Sequence, residues 1–370
     1  METNIKILKF GGTSVGDAAA FQRAAQIVRA NHDAPVVVVV SAMSGVTDAL
    51  IAASAGTETA LENLDEHFQR HLCVGRDLSA KQYAEYRHLI QNSRNEIIRL
   101  LAGADGPRRQ DAITSYGERL CAALFTMILE HDGIAASYVD ARSCILTDGE
   151  HGNANPLMHE VGLRTQSQLK PLIESKRVPV LGGFIGATAE GVTTTLGRGS
   201  SDYTATLIGG ALRAEEIQIW TDVDGVQTAN PQFVTSTRTI PVISYEEAIE
   251  LAVFGARVMH PKMIDPVMED RIPIRIRNSR FPDQDGTLIC AASGPQDGSV
   301  KAIVHRDDVV ACVGDGLSNG SLGAANVRRV LLEVDPSLTW ESSSPSNLIT
   351  RVESERVVPL VRRLHERIIL

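Results

Sequence analysis

The sequence has few of the features that mark secreted, membrane-embedded or nucleic-acid-binding proteins. Its five cysteines are scattered, odd in number and without a C-x-x-C pair, which disfavours a disulfide framework and a zinc site. The longest unbroken apolar run, Leu120 to Phe125, is far shorter than the ~20 residues that span a bilayer. A net charge of −9 disfavours binding to nucleic acid or to an anionic membrane.

Aromatic residues make up only 4% of the chain, so its cores must rest on valine, isoleucine, leucine and alanine. A hydrophobic content of 43% is nevertheless typical of a globular protein, and 370 residues suit about two or three domains. No basic start followed by an apolar stretch opens the sequence, so no leader is predicted. We therefore expect a cytoplasmic protein with free thiols that binds no membrane.

Strand and helix patterns alternate up to about residue 290. Short apolar runs predict strands at residues 5–8, 36–40, 136–139, 178–181 and 217–220. Helical periodicity predicts helices at residues 17–29, 119–130, 165–175, 203–212 and 246–257. Pro171 should kink the third helix or delay its start. This alternation predicts an α/β fold, an open and mostly parallel sheet between helices, with ligands beyond the carboxyl ends of the strands.

Residues 58–110 have no strand pattern and are charged and helical, which predicts an inserted arm or lid. Its histidines, His67, His71 and His88, are expected on a solvated face. The turn-rich stretch 291–298 predicts a linker between a domain at residues 1–292 and a smaller one at residues 299–370.

The segment after that linker predicts a small α+β domain. Strands are expected at residues 309–313, 337–342 and 348–352, and helices at residues 324–334 and 354–367. Pro359 should move the start of the last helix further along the chain.

The run from Lys9 to Gly16 carries the first chemical signal, because it joins a strand to a helix. Adjacent Gly11 and Gly12 leave backbone N–H groups open to an anion, Ser14 lies in the same turn, and Lys9 adds a positive charge. A glycine turn beside a surface lysine would have the same pattern, so the run indicates a phosphate site only together with the rest of the chain.

Residues 182–202 concentrate glycines, hydroxyl groups, one arginine and one aspartate before a predicted helix. Arg198 can hold a carboxylate with two parallel hydrogen bonds. Ser201 and the helix N-terminus can hold phosphate oxygens. Asp202 can orient Lys9 or organise a metal-bound phosphate. A structural turn does not require this mixture of residue types.

Three further clusters leave two interpretations each. Residues 41–48 either line a ligand pocket or cap the next helix, and residues 221–226 suit a nucleoside or an ordinary turn. Glu118 either faces the dipole near the start of its helix or binds a substrate ammonium group.

His151 lies in a glycine-rich turn and should be exposed. Neither familiar glycine-rich phosphate fingerprint is present, and no zinc-ligand spacing occurs.

Taken in order, these motifs resemble the amino acid kinase family, and within it the aspartate kinases, over about residues 3–290. The matching stretches are residues 9–15, 41–47, 115–120, 183–186, 194–202, 221–225, 254–256 and 260–261. The C-terminal segment resembles a single ACT domain, the amino-acid sensor attached to such kinases.

The resemblance implies transfer of a phosphoryl group from ATP, with Mg²⁺ held mainly by the ATP phosphates, to the side-chain carboxylate of aspartate. It implies catalytic roles for Lys9 and Asp202. It implies substrate binding by Ser41, Thr47, Glu118, Phe184, Arg198 and Ser201. It implies ATP binding by Lys9, Gly11, Gly12, Ser14, Thr221, Asp222, Gly225, Val226, Gln232 and Arg257. A homodimer and an amino-acid effector at the ACT-like module are also implied.

The nucleotide side departs from the family pattern. Gln227 and Gln232 replace an aromatic residue and an arginine, Asn230 stands in the same stretch, and Arg257 replaces a lysine. Among enzymes, the alternative is a kinase for a related amino acid in a specialised pathway. The departures themselves leave open weaker ATP binding, another nucleotide, or compensation by Lys262 or Arg257. They also leave open a catalytically weak, amino-acid-binding regulatory subunit.

Overall fold

A computed structural model describes residues 4–54, 56–255, 261–291, 299–314, 316–317 and 322–370. The chain forms two compact units, Met1–Asp222 and Val223–Leu370, and each is described by itself. The boundary between the two compact units thus lies after residue 222, whereas the sequence predicts a domain linker at 291–298. That linker falls almost wholly outside the described residues, so the predicted domain division stays a prediction.

The first unit is built on a parallel sheet. Its strands are β1 (Lys6–Phe10), β2 (Val36–Val40), β3 (Ala136–Val139), β4 (Val178–Gly182), β5 (Ile185–Ala187), β6 (Thr193–Thr195) and β7 (Glu216–Thr221). Strands β3, β4, β2, β1 and β7 pair in parallel in that order, while β5 and β6 form an antiparallel pair. All five predicted strands are confirmed.

Helices cover this sheet. They are α1 (Ala18–Ala30), α2 (Val46–Ala53), α3 (Glu58–Val74), α4 (Ala80–Leu101), α5 (Pro107–His131), α6 (Met158–Glu174) and α7 (Ser201–Leu212). Side chains cap several of them, as at Asp17, Thr57 and Ser79, each of which accepts a bond from an amide in the first turn. Helices α3 and α4 are the predicted arm. Within the described residues, no helix is long and apolar enough to cross a membrane.

The core of the first unit follows from its β-branched strands. Every residue of β2 is buried, as expected for a strand covered on both faces. Aromatic side chains also pack here: Phe125 of α5 meets Phe10 and Phe21 edge-on, with ring centroids 5.7 and 5.6 Å apart.

Several expectations for the first unit are wrong. Helix α6 contains Pro171 and begins at Met158, so the expectation that the proline delays the start of this helix is wrong. Packing of the buried positions along α6 outweighs the one lost hydrogen bond.

The arm histidines also differ from the expectation of a solvated face. His71 is fully buried, with its Nδ1 2.8 Å from the Tyr86 hydroxyl, and burial lowers its pKa to about 3. His67 is half-buried, and His88 is exposed as predicted.

The second unit contains two groups of strands. Strands β8 (Val242–Ser244), β9 (Ile274–Asn278) and β10 (Thr287–Cys290) belong to one sheet, and β11 (Ala302–Arg306), β12 (Val309–Val313) and β13 (Asn347–Arg351) form an antiparallel sheet. The helices are α8 (Tyr245–Val253), α9 (Asp265–Met268), α10 (Leu322–Val334) and α11 (Ser354–Leu364). A reciprocal capping box of Ser244 and Glu247 starts α8.

The C-terminal segment is a small α+β arrangement, as expected, but three details differ. Residues 337–342 form no strand, and only Glu341 bridges Ile349, because serines and Pro345 follow it at once. Strand β11 was not predicted. Helix α11 begins at Ser354 and contains Pro359, since its strongly amphipathic face buries Val357, Leu360, Val361 and Leu364.

Two helical glycines in the first unit should respond oppositely to alanine. At Gly162 of α6 a Cβ would meet open space, so Gly162→Ala should stabilise by about 0.5–1 kcal/mol. At Gly117 of α5 a Cβ would lie 2.8 Å from Ala42 Cβ, so Gly117→Ala should destabilise by about 1–3 kcal/mol. Chemical denaturation of both variants measures this, and equal shifts in one direction would contradict the described packing of α5 on the loop after β2.

Candidate active site

The candidate site is centred on an ion pair between β1 and α7. Lys9 lies near the carboxyl end of β1, and Asp202 lies in the first turn of α7, almost two hundred residues later. The Lys9 Nζ is 2.6 Å from Asp202 Oδ1, and the two side chains are only 9% and 12% exposed. Since a buried charge is costly unless it is paired, this contact holds both groups in one place.

The turn after β1 lies beside this pair. Residues Gly12–Val15 form a 3-10 turn in which Ser14 is buried and its hydroxyl donates to the Trp220 carbonyl at 3.2 Å. The Gly11 amide donates to the same carbonyl at 2.9 Å, so this N–H is already engaged, unlike the open amide expected from the sequence. At Gly12 a Cβ would lie 2.8 Å from the Ala42 carbonyl oxygen, which explains the glycine.

Glu118 is a buried carboxylic acid facing this site. Helix α5 begins at Pro107, so Glu118 lies in mid-helix, and the interpretation that it faces the dipole of a helix start is wrong. Burial raises the pKa of Glu118 to about 8, although the Ala42 amide and the charge of Lys9 oppose this. Its Oε2 atom is buried without a hydrogen-bond partner. A cationic ligand group would satisfy that atom and favour the ionised form.

The segment between β4 and α7 packs closely on the same site. At Gly183 a Cβ would lie 2.6 Å from Ser201 Cβ, so only glycine lets this loop approach the start of α7. Phe184 has a φ of 67° and its amide donates to Thr204 Oγ1 at 2.9 Å. Ser201 is buried in the first turn of α7, where the helix N-terminus favours anions.

Arg198 and the loop after β2 form a more exposed part of the site. The Arg198 side chain is 80% exposed and its Nη2 lies 2.5 Å from Asp48 Oδ1 in the first turn of α2. Ser41 continues from β2, where its amide donates to the Phe10 carbonyl at 3.0 Å, and Thr47 is half-buried in α2. A ligand carboxylate at Arg198 would therefore compete with Asp48.

Sequence reasoning missed a buried carboxylate that supports this segment. Asp111 of α5 accepts a bond from Thr195 Oγ1 at 2.6 Å, and its other oxygen lies 2.8 Å from His151 Nδ1. His151 is therefore paired and 19% exposed, which corrects the expectation of an exposed histidine. Asp111 ties α5 to β6 just ahead of Arg198. Nothing in its local sequence distinguishes it from a solvated acid.

The remaining predicted nucleotide residues are divided between the two units. Thr221 and Asp222 end the first unit, and the Thr221 hydroxyl lies 3.4 Å from Asp222 Oδ1. In the second unit, Gly225 has a φ of 120°, and the Val226 amide donates to Thr287 Oγ1 at 2.8 Å. Gln232 is exposed and its backbone N–H donates to Asn230 Oδ1. Arg257 lies outside the described residues.

Within the first unit, the structure thus brings Lys9, Glu118, Ser201 and Asp202 to one place around the turn after β1. Among the described residues, no group of three or more histidines, cysteines or acids could hold a metal ion. A cation, a helix N-terminus and a buried acid at the ends of parallel strands define a site for small charged substrates.

The sequence profile of the Amino acid kinase family matches residues 4–278, so the chain belongs to that family. It is 37% identical over 299 residues to lysine-sensitive aspartokinase 3 of Escherichia coli (strain K12), covering 78% of this chain and 64% of that protein. It is 31% identical over 313 residues to the aspartokinase of Chlamydia muridarum, covering 80% and 66%. The chain therefore spans less than two thirds of the length of these relatives.

Solved structures agree with the family. E. coli aspartokinase III in complex with aspartate and ADP, in the R-state, superposes with a TM-score of 0.86 at 27% identity, covering 99% of this chain and 100% of that chain. The same enzyme in complex with lysine and aspartate, in the T-state, gives a TM-score of 0.82 at 28% identity, with the same coverage. The predicted α/β fold with a mostly parallel sheet is confirmed.

The raised pKa of Glu118 predicts how Glu118→Gln changes stability with pH. The folded state keeps a proton that the unfolded state loses above pH 4.5, so the native acid costs stability increasingly as pH rises from 4.5 to about 8. The neutral amide avoids this cost. The stability of Glu118→Gln relative to the native protein should therefore rise across that range, by on the order of a few kcal/mol. Denaturation at several pH values measures it, and a difference independent of pH would contradict the burial argument.

Proposed function

We propose that the chain is an aspartate kinase, which transfers a phosphoryl group from MgATP to the side-chain carboxylate of L-aspartate and gives 4-phospho-L-aspartate. One observation carries the proposal: the Lys9–Asp202 ion pair lies where Glu118 presents a buried, unpartnered carboxyl oxygen. Relatives named aspartokinase support the substrate.

The chemistry suits these residues. The acceptor carboxylate, with a pKa near ~4, is ionised at neutral pH, so the reaction needs no general base. The main barrier is the approach of two anions, and aligning and neutralising them supplies the catalysis. Lys9 would contact the transferring phosphoryl group, held in orientation by Asp202. The N-terminus of α7 adds positive potential without a side chain.

The amino-acid side would use opposite charges. Glu118 would bind the substrate ammonium group, which relieves the cost of ionising this buried acid. Arg198 would bind the α-carboxylate after releasing Asp48, and this exchange costs little because both side chains are exposed. The rest of the aspartate pocket would be formed by Ser41, Thr47, Phe184 and Ser201.

Fewer observed contacts support the proposed nucleotide-binding residues. The phosphates would lie against the turn at Gly11, Gly12 and Ser14, and Mg²⁺ would be held mainly by ATP itself. The nucleoside would meet Thr221, Asp222, Gly225, Val226, Gln232 and Arg257. Gln227 donates to Thr239 Oγ1 at 2.8 Å, so part of its amide is used within its own loop.

The C-terminal α+β segment would act as an ACT-like module for an amino-acid effector or for homodimer formation. Lysine is the first effector to test, because it is bound in the related T-state structure. The departures at Gln227, Asn230 and Gln232 favour one competing function, an amino-acid-binding regulatory subunit with weak catalysis. Calorimetry separates the two: a subunit of that kind would bind aspartate but not ATP.

The decisive test is turnover with hydroxylamine, which traps an acyl phosphate as a hydroxamate. Purified protein with MgATP and aspartate should form aspartyl hydroxamate, and Lys9→Met should lower kcat/KM at least about 10³-fold, because it removes the charge at the transferring group. Lys6→Met, at the opposite end of the same strand, is the matched control and should change kcat/KM by only about 2-fold.

A panel of amino acids in the same assay identifies the acceptor. Faster turnover of another amino acid would establish the related kinase instead. A hydroxamate signal no higher than that of Lys9→Met would contradict the proposed activity.

A further inference from the structure

Arg70 of α3 holds two turns at the candidate site at once. The first is residues 12–16 after β1, and the second is residues 41–45 after β2; we call them the two site turns. The Arg70 Nη2 atom donates to the Gly16 carbonyl at 3.0 Å, and Nη1 donates to the Ser44 carbonyl at 3.0 Å. The Ser44 amide in turn donates to the Gly12 carbonyl at 3.1 Å.

His67, one helical turn earlier, holds the guanidinium in place. Its Nδ1 atom lies 2.8 Å from Arg70 Nη1. Burial and the Arg70 charge lower the pKa of His67, so the ring is neutral at pH 7 and Nδ1 is the acceptor. The ring also packs on the second site turn, where a Cβ at Gly45, whose φ is +83°, would lie 3.1 Å from its Cε1 atom.

The geometry requires a guanidinium. Its planar fork carries five N–H donors and can reach two carbonyls together, whereas an ammonium group is a single point donor. Carbonyl oxygens near a phosphate are repulsive, so the guanidinium, which binds the Gly16 and Ser44 carbonyl oxygens, offsets the repulsion that these two oxygens would exert on an anion. Its positive charge also raises the local potential in a chain of net charge −9.

We propose that Arg70 is a positioning residue for phosphate binding, which makes the helical arm part of the nucleotide site without contact to the nucleotide. The proposal rests on the proposed function, because it assumes that the site turns hold ATP phosphates. It assigns the arm a role beyond that of an inserted lid.

The test compares Arg70→Met and Arg70→Lys with the native protein. Arg70→Met keeps the aliphatic stem and removes every donor, so the Kd for ADP by calorimetry and the KM for ATP should each rise about 10-fold or more. Arg70→Lys should recover only part of that loss, since it reaches one carbonyl. Circular dichroism and Tm establish that the variants fold.

Arg94→Met is the matched control in the same arm. Arg94 of α4 binds Asp65 of α3 through two bonds of 2.6 and 2.7 Å, and within the described part of the chain its hydrogen bonds go to this partner rather than to either site turn. Its loss should lower Tm as Arg70→Met does but leave the Kd for ADP and the KM for ATP within about 2-fold.

Each outcome discriminates. Equal losses of ADP affinity in Arg70→Met and Arg94→Met would mean that Arg70 acts only by stabilising the arm, and this result would overturn the inference. Full recovery of ADP affinity in Arg70→Lys, or native ADP affinity in Arg70→Met, would also overturn it. A native protein that binds ADP but makes no hydroxamate would refute the proposed kinase while leaving the positioning role supported by the binding data. A native protein that does not bind ADP would refute both.

Discussion

The ion pair between Lys9 and Asp202 is the contact on which the site depends. It joins the end of a central strand to the first turn of α7, and both groups are nearly buried. Removing either partner would leave a buried charge unpaired, which is far costlier than losing a surface ion pair. Close approaches that only glycine permits bring the surrounding loops to this pair, at Gly12 against Ala42 and at Gly183 against Ser201.

The site concentrates charge in a chain that is acidic as a whole. Lys9, Arg70, Arg198 and the N-terminus of α7 create local positive potential where the two anionic substrates of the proposed reaction would meet. Glu118 instead suits a cationic group, because burial keeps its carboxyl protonated until a cation approaches. The same burial that costs stability in the free protein therefore favours recognition of an ammonium group, which links the fold directly to the proposed substrate.

Local patterns predict the parts of this molecule that local interactions determine. The β-branched run at 36–40, the helix at 203–212 and the glycine turn at Gly11 and Gly12 were all recoverable from the sequence. The roles of Asp111, Arg70 and His71 were not, because each lies in a charged stretch of sequence that is typical of a solvated face. Their partners are Thr195, Gly16 and Tyr86, and tertiary packing alone selects these contacts. Pro171 and Pro359 show the same limit, since packing overrides a local preference.

A crystal structure with MgADP and aspartate tests the central claim most directly. The account predicts that the terminal phosphate of ADP lies within hydrogen-bonding distance of Lys9 Nζ, with the aspartate ammonium group on Glu118. Density for the phosphates away from the turn at Gly12–Val15, or aspartate bound where Lys9 and Asp202 cannot reach its side-chain carboxylate, would contradict it.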